Sequence, residues 1–212
     1  MPKIVDHDAR RRELVEASWA VIAEEGLEGV TMRKVAEAAN CTTGRITHYF
    51  ADREALILAS LQTSNRATSK RVSEIIASNL DVYEKLLGMA EQTLPLDEER
   101  RIEVKVWLAF WSAATVNKAL AKENDARMDE WFAALLPLVK EVAPNADPEH
   151  EANLLIGLIN GLGIQVAVNP SRKNQAMARK TVERHLTWLI HDHKKGTAQR
   201  AAPKSVRDLS NA

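Results

Sequence analysis

"CTTGRITHYFADREAL", residues 41–56, decides how this chain is read. Two threonines and a glycine open a segment that ends in an aromatic pair, Tyr49–Phe50, and Asp52 starts a new helix at once. Thr42 or Thr43 can cap the segment, because a threonine hydroxyl accepts from the unpaired amides of a first helical turn. Ile46 and Phe50, four apart, share one face and turn inward. The segment is roughly two turns long, well below the ~12–15 residues an isolated helix needs, so its neighbours must hold it.

Upstream, a first helix from Asp8 to Glu25 aligns Leu14, Ser18, Val21 and Ile22 on one buried stripe, with Gly26 as terminator. Thr31 caps a second short helix whose apolar side is Met32, Val35, Ala36 and Ala39, and Asn40–Cys41 makes the turn. Short helices joined by tight turns are the layout of a helix-turn-helix, which lays its second helix in the DNA major groove.

Downstream, Asp52 caps a longer helix that carries Leu56 and runs towards Asn79. Pro95 ends a helix and Asp97 begins another, on which Val104, Trp107, Leu108 and Trp111 share a face. A long helix follows from Asn117 to Val142 through Trp131 and Leu135, and Pro137 is expected to kink it or end it a turn early. In "APNADPEH" Asp147 is the cap and Pro148 takes the first helical position. Glu149–Val168 is apolar nearly all round, "NPSRKN" breaks it, and a last helix runs from Asn174 to His193.

The chain therefore reads as all-α. An N-terminal three-helix DNA-binding domain covers residues 1–51, and a helical effector-binding and dimerisation domain covers 52–194. Residues 195–212 carry no apolar period, so disorder is expected there.

The chemistry of the opening stretch fits duplex contact. Gly44 lets backbone approach backbone. Thr42, Thr43, Thr47 and His48 offer short hydrogen-bonding groups, and Arg45 can make a bidentate pair to guanine, so these five are expected to read bases. Thr31, Arg33, Tyr49 and Arg53 are expected to position phosphates. Tyr49 can also offer its hydroxyl to the backbone while its ring packs. The plain alternative for each is a solvated polar surface.

"GLEGVTMRKVAEAANCTTGRITHYFADREAL", residues 26–56, resembles the DNA-binding segment of TetR-family transcriptional regulators. In that family a threonine opens the second helix, the recognition helix ends in Tyr-Phe, and a Lys or Arg follows near the start of the fourth. Thr31, Tyr49–Phe50 and Arg53 match those positions. The resemblance is close over about residues 8 to 60 and extends beyond only in helical layout. It implies a dimeric repressor that a small molecule releases from a palindromic operator, with motion of the fourth helix as the link. An activator of the same fold, or a helical protein-interaction module, is the alternative.

Charge demands care, since the net charge is zero. Residues 1–60 hold eight Lys/Arg and ten Asp/Glu, so any positive face must come from segregation. The bases lie on the arm, at the starts of the second and fourth helices, and on the recognition helix.

In the effector half, "VWLAFW", residues 106–111, places Trp107, Phe110 and Trp111 within one broad arc. Tryptophan faces attract cations, quaternary ammonium above all. With "MPK" at the N-terminus, the stretch resembles BetI-type regulators, which respond to choline. Glu103, one turn earlier, would supply counter-charge, and Trp131 and Asn160 join the expected ligand wall. Where the BetI-type pattern has "DGLW", this chain has "NGLG", residues 160–163, without the acid and the aromatic that would suit a cation. The alternative reading of the aromatic arc is packed core. Gly157 and Gly161, four apart, permit close helix approach, so this helix and the last one are the expected dimer surface.

Other classes find little support. There is no phosphate loop, nucleophile elbow or metal spacing, and His150, His185, His191 and His193 have no evident partners, so no catalysis, metal or cofactor is expected. The single cysteine, Cys41, excludes an intrachain disulfide and fits a cytoplasmic setting; it is either a small packed residue or a thiol sensor. Residues 1–12 lack the apolar run of a secretory signal. The apolar stretch 152–168 is shorter than the ~20 residues of a membrane span and reads as a core helix.

Overall fold

Side-chain caps set nearly every helix boundary. The computed structural model describes residues 6–194, and among them nine helices and no strands occur. Asp6 caps α1 (His7–Gly29), Thr31 caps α2 (Met32–Ala38), and Thr42 precedes α3 (Thr43–Tyr49) without a side-chain bond. Asp52 caps α4 (Arg53–Ala77), and Asp97 caps α6 (Glu98–Ala114). Asn117 caps α7 (Lys118–Val142), and Asp147 caps α8 (Pro148–Val168) with Pro148 in the first turn. The last helix is α9 (Arg172–Lys194). The expected disordered tail, 195–212, lies outside the described residues.

The helix boundaries have local reasons, including where they depart from expectation. The chain turns helical again after Gly26, which takes φ 71, so α1 continues past a kink to Gly29. Helix α5 (Val82–Thr93) begins with a reciprocal capping box between Asp81 and Glu84. Ser171 accepts from the Asn174 amide at 3.2 Å, and α9 starts two residues early. Pro137 does not end α7, which runs on to Val142. The bond that Pro137 cannot donate would go to Ala133, and both residues lie on the exposed face, where the free carbonyl is open to solvent.

Two apolar clusters organise the helices. The first joins α1–α4 to α6 through Val15, Ile22, Ile46, Phe50 and Leu56 against Val106, Trp107 and Phe110. The second joins the far half of α4 to α5, α7, α8 and α9. The first core therefore continues past residue 51 and seats the helix-turn-helix directly on α6. Its seam is polar as well: Ser18 and Ser60 hydroxyls lie 2.6 Å apart, the Trp19 indole donates to the Ser60 carbonyl at 3.1 Å, and Lys105 donates to the Ala23 carbonyl. Helix α8 has the length and hydropathy of a membrane span, yet Ala152, Leu155, Ile159, Leu162 and Val166 pack into the second core.

Candidate functional site

Helix α3 is short, and its apolar residues are all used for anchorage. Ile46 and Phe50 are buried, while Thr42, Thr43, Gly44, Arg45, Thr47 and His48 are exposed. Asn40, at φ 48, supplies the left-handed turn that swings α3 away from α2. A Cβ on Gly44 would meet only the Thr42 hydroxyl, at 4.0 Å, so nothing within the chain requires the small residue there; its open side faces outward. Thr47 is exposed and donates to the Gly44 carbonyl at 3.1 Å. Cys41 is half-buried against the first core, and its thiol points to the Thr42 carbonyl.

The phosphate-positioning residues divide into two kinds. Thr31 accepts from the Lys34 amide and keeps its hydroxyl proton for an outside acceptor. Arg33 is exposed, with Glu37 at 3.7 Å. Tyr49 bonds the His7 ring rather than backbone, at 3.3 Å, and its ring meets His48 edge-on with centroids 5.1 Å apart. Arg53 points back into the chain. Its Nε donates to the Val30 carbonyl at 2.7 Å and an Nη to the Leu27 carbonyl. It holds the end of α1 on the start of α4, and three of its N–H groups remain for other acceptors. Arg11 stacks on Phe50 at 5.0 Å, a contact that sequence reasoning missed because the two lie far apart in the chain.

The aromatic arc of α6 has a different outcome. Phe110 is plain core, 2% exposed. Trp107 is buried, and its indole donates to the Ser64 hydroxyl of α4 at 3.0 Å; Trp111 donates to Asn124 at 2.8 Å. Glu103 is buried too, but its carboxylate is already held by Arg71 of α4, at 2.7 and 3.1 Å. Burial pushes its pKa up and the Arg71 bond opposes that. Glu103 is therefore an internal clamp between α4 and α6 rather than a free counter-charge.

A cation already covers the tryptophan faces. Arg127 of α7 lies over Trp107 at 5.0 Å and over Trp111 at 5.6 Å. It is 6% exposed. Sequence reasoning passed over it, although a signal was present: Leu120, Arg127, Trp131 and Leu135 share the apolar stripe of α7, and a base on such a stripe is anomalous. Arg127 borders a cavity of about 10 Å³, room for one water, lined by Thr93, Met128, Trp131, Ile156, Ile159 and Asn160. Trp131 and Asn160, expected as ligand wall, meet there. Asn160 and Met128 also line an open groove beside Trp111.

A helix-turn-helix seated on a helical body is the architecture of a DNA-binding transcriptional regulator. The comparisons make the class specific. Residues 14–60 match the family described as bacterial regulatory proteins of the tetR family, and residues 82–191 match the C-terminal domain of BetI-type transcriptional repressors. The second match alone spans more than half of the chain, and the protein belongs to the TetR family with a BetI-type C-terminal domain. It is a regulator of transcription and not an enzyme.

Among its relatives, the HTH-type transcriptional regulator PksA of Bacillus subtilis is 29% identical over 94% of this chain and 99% of its own. BetI of Paraburkholderia xenovorans is 27% identical over 90% and 98%. A transcriptional regulator from Rhodococcus has 25% identity over 86% of this chain and 96% of its own, with TM-score 0.78. One from Saccharomonospora viridis, solved in complex with choline, shares the fold at 23% identity over 85% and 97%, with TM-score 0.77.

Proposed function

We propose that the protein is a homodimeric repressor that binds a palindromic operator and leaves it when a small molecule occupies the chamber between α5, α7 and α8, which Arg127 links to the tryptophans of α6. The observation that carries this reading is α3 with its N-cap: every residue expected to read bases is exposed there, while Ile46 and Phe50, with the half-buried Tyr49, anchor it to the first core. Two such helices in a dimer would meet half-sites about 34 Å apart, one turn of DNA.

The dimer surface we assign is the outer face of α8 and α9. Leu154, Ile164, Val168, Met177 and Trp188 are exposed there, and a Cβ at Gly157 or Gly161 would meet nothing within 4 Å. Small residues beside exposed apolar ones suit a second copy of the same helices packed closely across a two-fold axis.

The route from chamber to DNA runs through α4 and α6. Trp107 ties α6 to Ser64, Arg71 ties α4 to Glu103, and the same two helices carry the first core and the Arg53 staple. A ligand that moves Arg127 off Trp107 disturbs these ties and re-spaces the two recognition helices. It weakens DNA binding to the extent that it binds the re-spaced dimer better.

A neighbour of the same fold was solved in complex with choline, which supports a small-molecule effector. Choline or a related quaternary ammonium ion as the effector of this chain faces an obstacle, because Arg127 already occupies the tryptophan faces. Fluorescence anisotropy with the DNA flanking the protein's own gene, at two salt concentrations and with and without choline, tests the reading. Saturable, sequence-dependent binding by a dimer is expected, and its absence with every duplex tried sinks the proposal.

A further inference from the structure

Arg127 is a buried cation that the described residues leave without an anion. Among the described residues no carboxylate lies within ion-pair distance of it, Glu130 acting only from further off, and its one hydrogen-bond contact is the Met128 sulfur at 3.6 Å. Its other contacts are the two indole faces. Arginine has five N–H donors in a planar fork, so most of its hydrogen-bonding capacity is unmet. Leaving a buried charge unpaired is among the more expensive arrangements a protein can hold, and such groups are normally paired. Here the unmet donors border a cavity whose remaining wall is mixed. Thr93 and Asn160 offer neutral polar groups; Trp131, Ile156 and Ile159 offer apolar surface.

We propose that the effector is an apolar monocarboxylate whose carboxyl group pairs with Arg127, while its body packs on Trp131, Ile156 and Ile159. This rests on the effector-chamber reading above and names its ligand class. A planar guanidinium matches a carboxylate bidentately, and one cation amid neutral groups selects a single negative charge. A quaternary ammonium would have to displace Arg127 from the indoles and then sit beside it, repelled. Met128, a flexible side chain, lines both this small cavity and the outer groove that also contains Trp111 and Asn160, so its movement would join the two and make room for the ligand. Pairing draws the guanidinium towards the ligand and off Trp107, whose indole is bonded to α4. The same contact that binds the ligand thus loosens the tie to the DNA-binding half.

The test is the thermal midpoint of the full-length protein, at constant ionic strength, against butyrate, benzoate, 3-phenylpropionate and indole-3-acetate. Each is paired with its neutral amide, and choline and benzyltrimethylammonium complete the set. Arg127→Gln and Arg127→Lys are measured alongside, the lysine variant keeping the charge in case glutamine impairs folding. At least one carboxylate is expected to raise the midpoint of the native protein while its amide does not. Arg127→Lys should weaken the half-saturation by on the order of tenfold and Arg127→Gln by more, as loss of a charge-assisted fork requires. If the amides or the ammonium ions stabilise native and Arg127→Gln proteins alike, and no carboxylate separates the two, the anion proposal is overturned while the chamber stands. If no probe of any charge moves the native protein, both readings fall.

Discussion

Two arginines in the same motif do opposite work. Arg45 is exposed on α3 and touches nothing that folding needs, so Arg45→Ala should leave the melting temperature unchanged. It should weaken operator binding by about 1–3 kcal/mol and relax the sequence preference at one base position, which anisotropy with single-base operator variants would read. Arg53 bonds two carbonyls at the end of α1. Arg53→Ala should therefore lower stability by about 2 kcal/mol, read by denaturant unfolding, with DNA binding falling as a consequence. Arg127 is the third case. Burial pulls its pKa down from the ordinary arginine range to about 10. The folded state thus binds its proton less tightly than the unfolded state does. The penalty for the charge is fully present below pH 10 and is relieved only as pH rises through that value. At neutral pH Arg127→Met should accordingly stabilise the ligand-free protein by ~1–4 kcal/mol, a gain that loss of a structural ion pair would not give.

Among the elements, α8 and α9 carry the sharpest expectations. His185 on α9 is partly buried, and its Nε2 has no hydrogen-bond partner among the described residues; the same is true of the Glu151 Oε2 on α8. Burial pulls the His185 pKa down, against a smaller opposing pull from Glu151. Since the unfolded chain binds that proton more readily, stability is lost as pH falls below about 6.5 towards the folded-state pKa. Unfolding midpoints between pH 7.5 and 5.5 should drop, and His185→Gln should flatten the drop; an unchanged slope would remove His185 as its cause. The glycines test the neighbouring surface. Gly161→Leu meets open space within one chain, so the helix should keep or gain stability by ~0.5–1 kcal/mol while the dimer dissociates in light scattering. A dimer that survives Gly161→Leu would place the interface elsewhere. The short α3 shows the converse dependence: it exists because Ile46 and Phe50 are fully taken up by the first core.

For the whole molecule, charge arrangement matters more than charge. With no net charge, operator affinity should come from local bases and should fall steeply between low and physiological salt, which a log–log plot of affinity against salt measures. The legibility of the sequence follows a simple division. Helix starts were readable because a cap needs one residue beside its own amides: Thr31, Asp52, Asp97, Asn117 and Asp147 all stand where the helices begin. The helix-turn-helix was readable because its spacing is local. The arc Trp107–Trp111 was readable as a face, but what lay against that face was not. Glu103 met Arg71 and the indoles met Arg127, partners from other helices that no periodicity could bring together. By itself, then, the sequence determined the class of protein, the helices and the exposed residues of α3, because those depend on neighbours within about one turn. Only the tertiary structure decided that Arg53 is a staple, that Glu103 is a clamp, and that the tryptophan faces of α6 already hold a cation. Burial, pairing and desolvation of a charge are properties of what surrounds it in space.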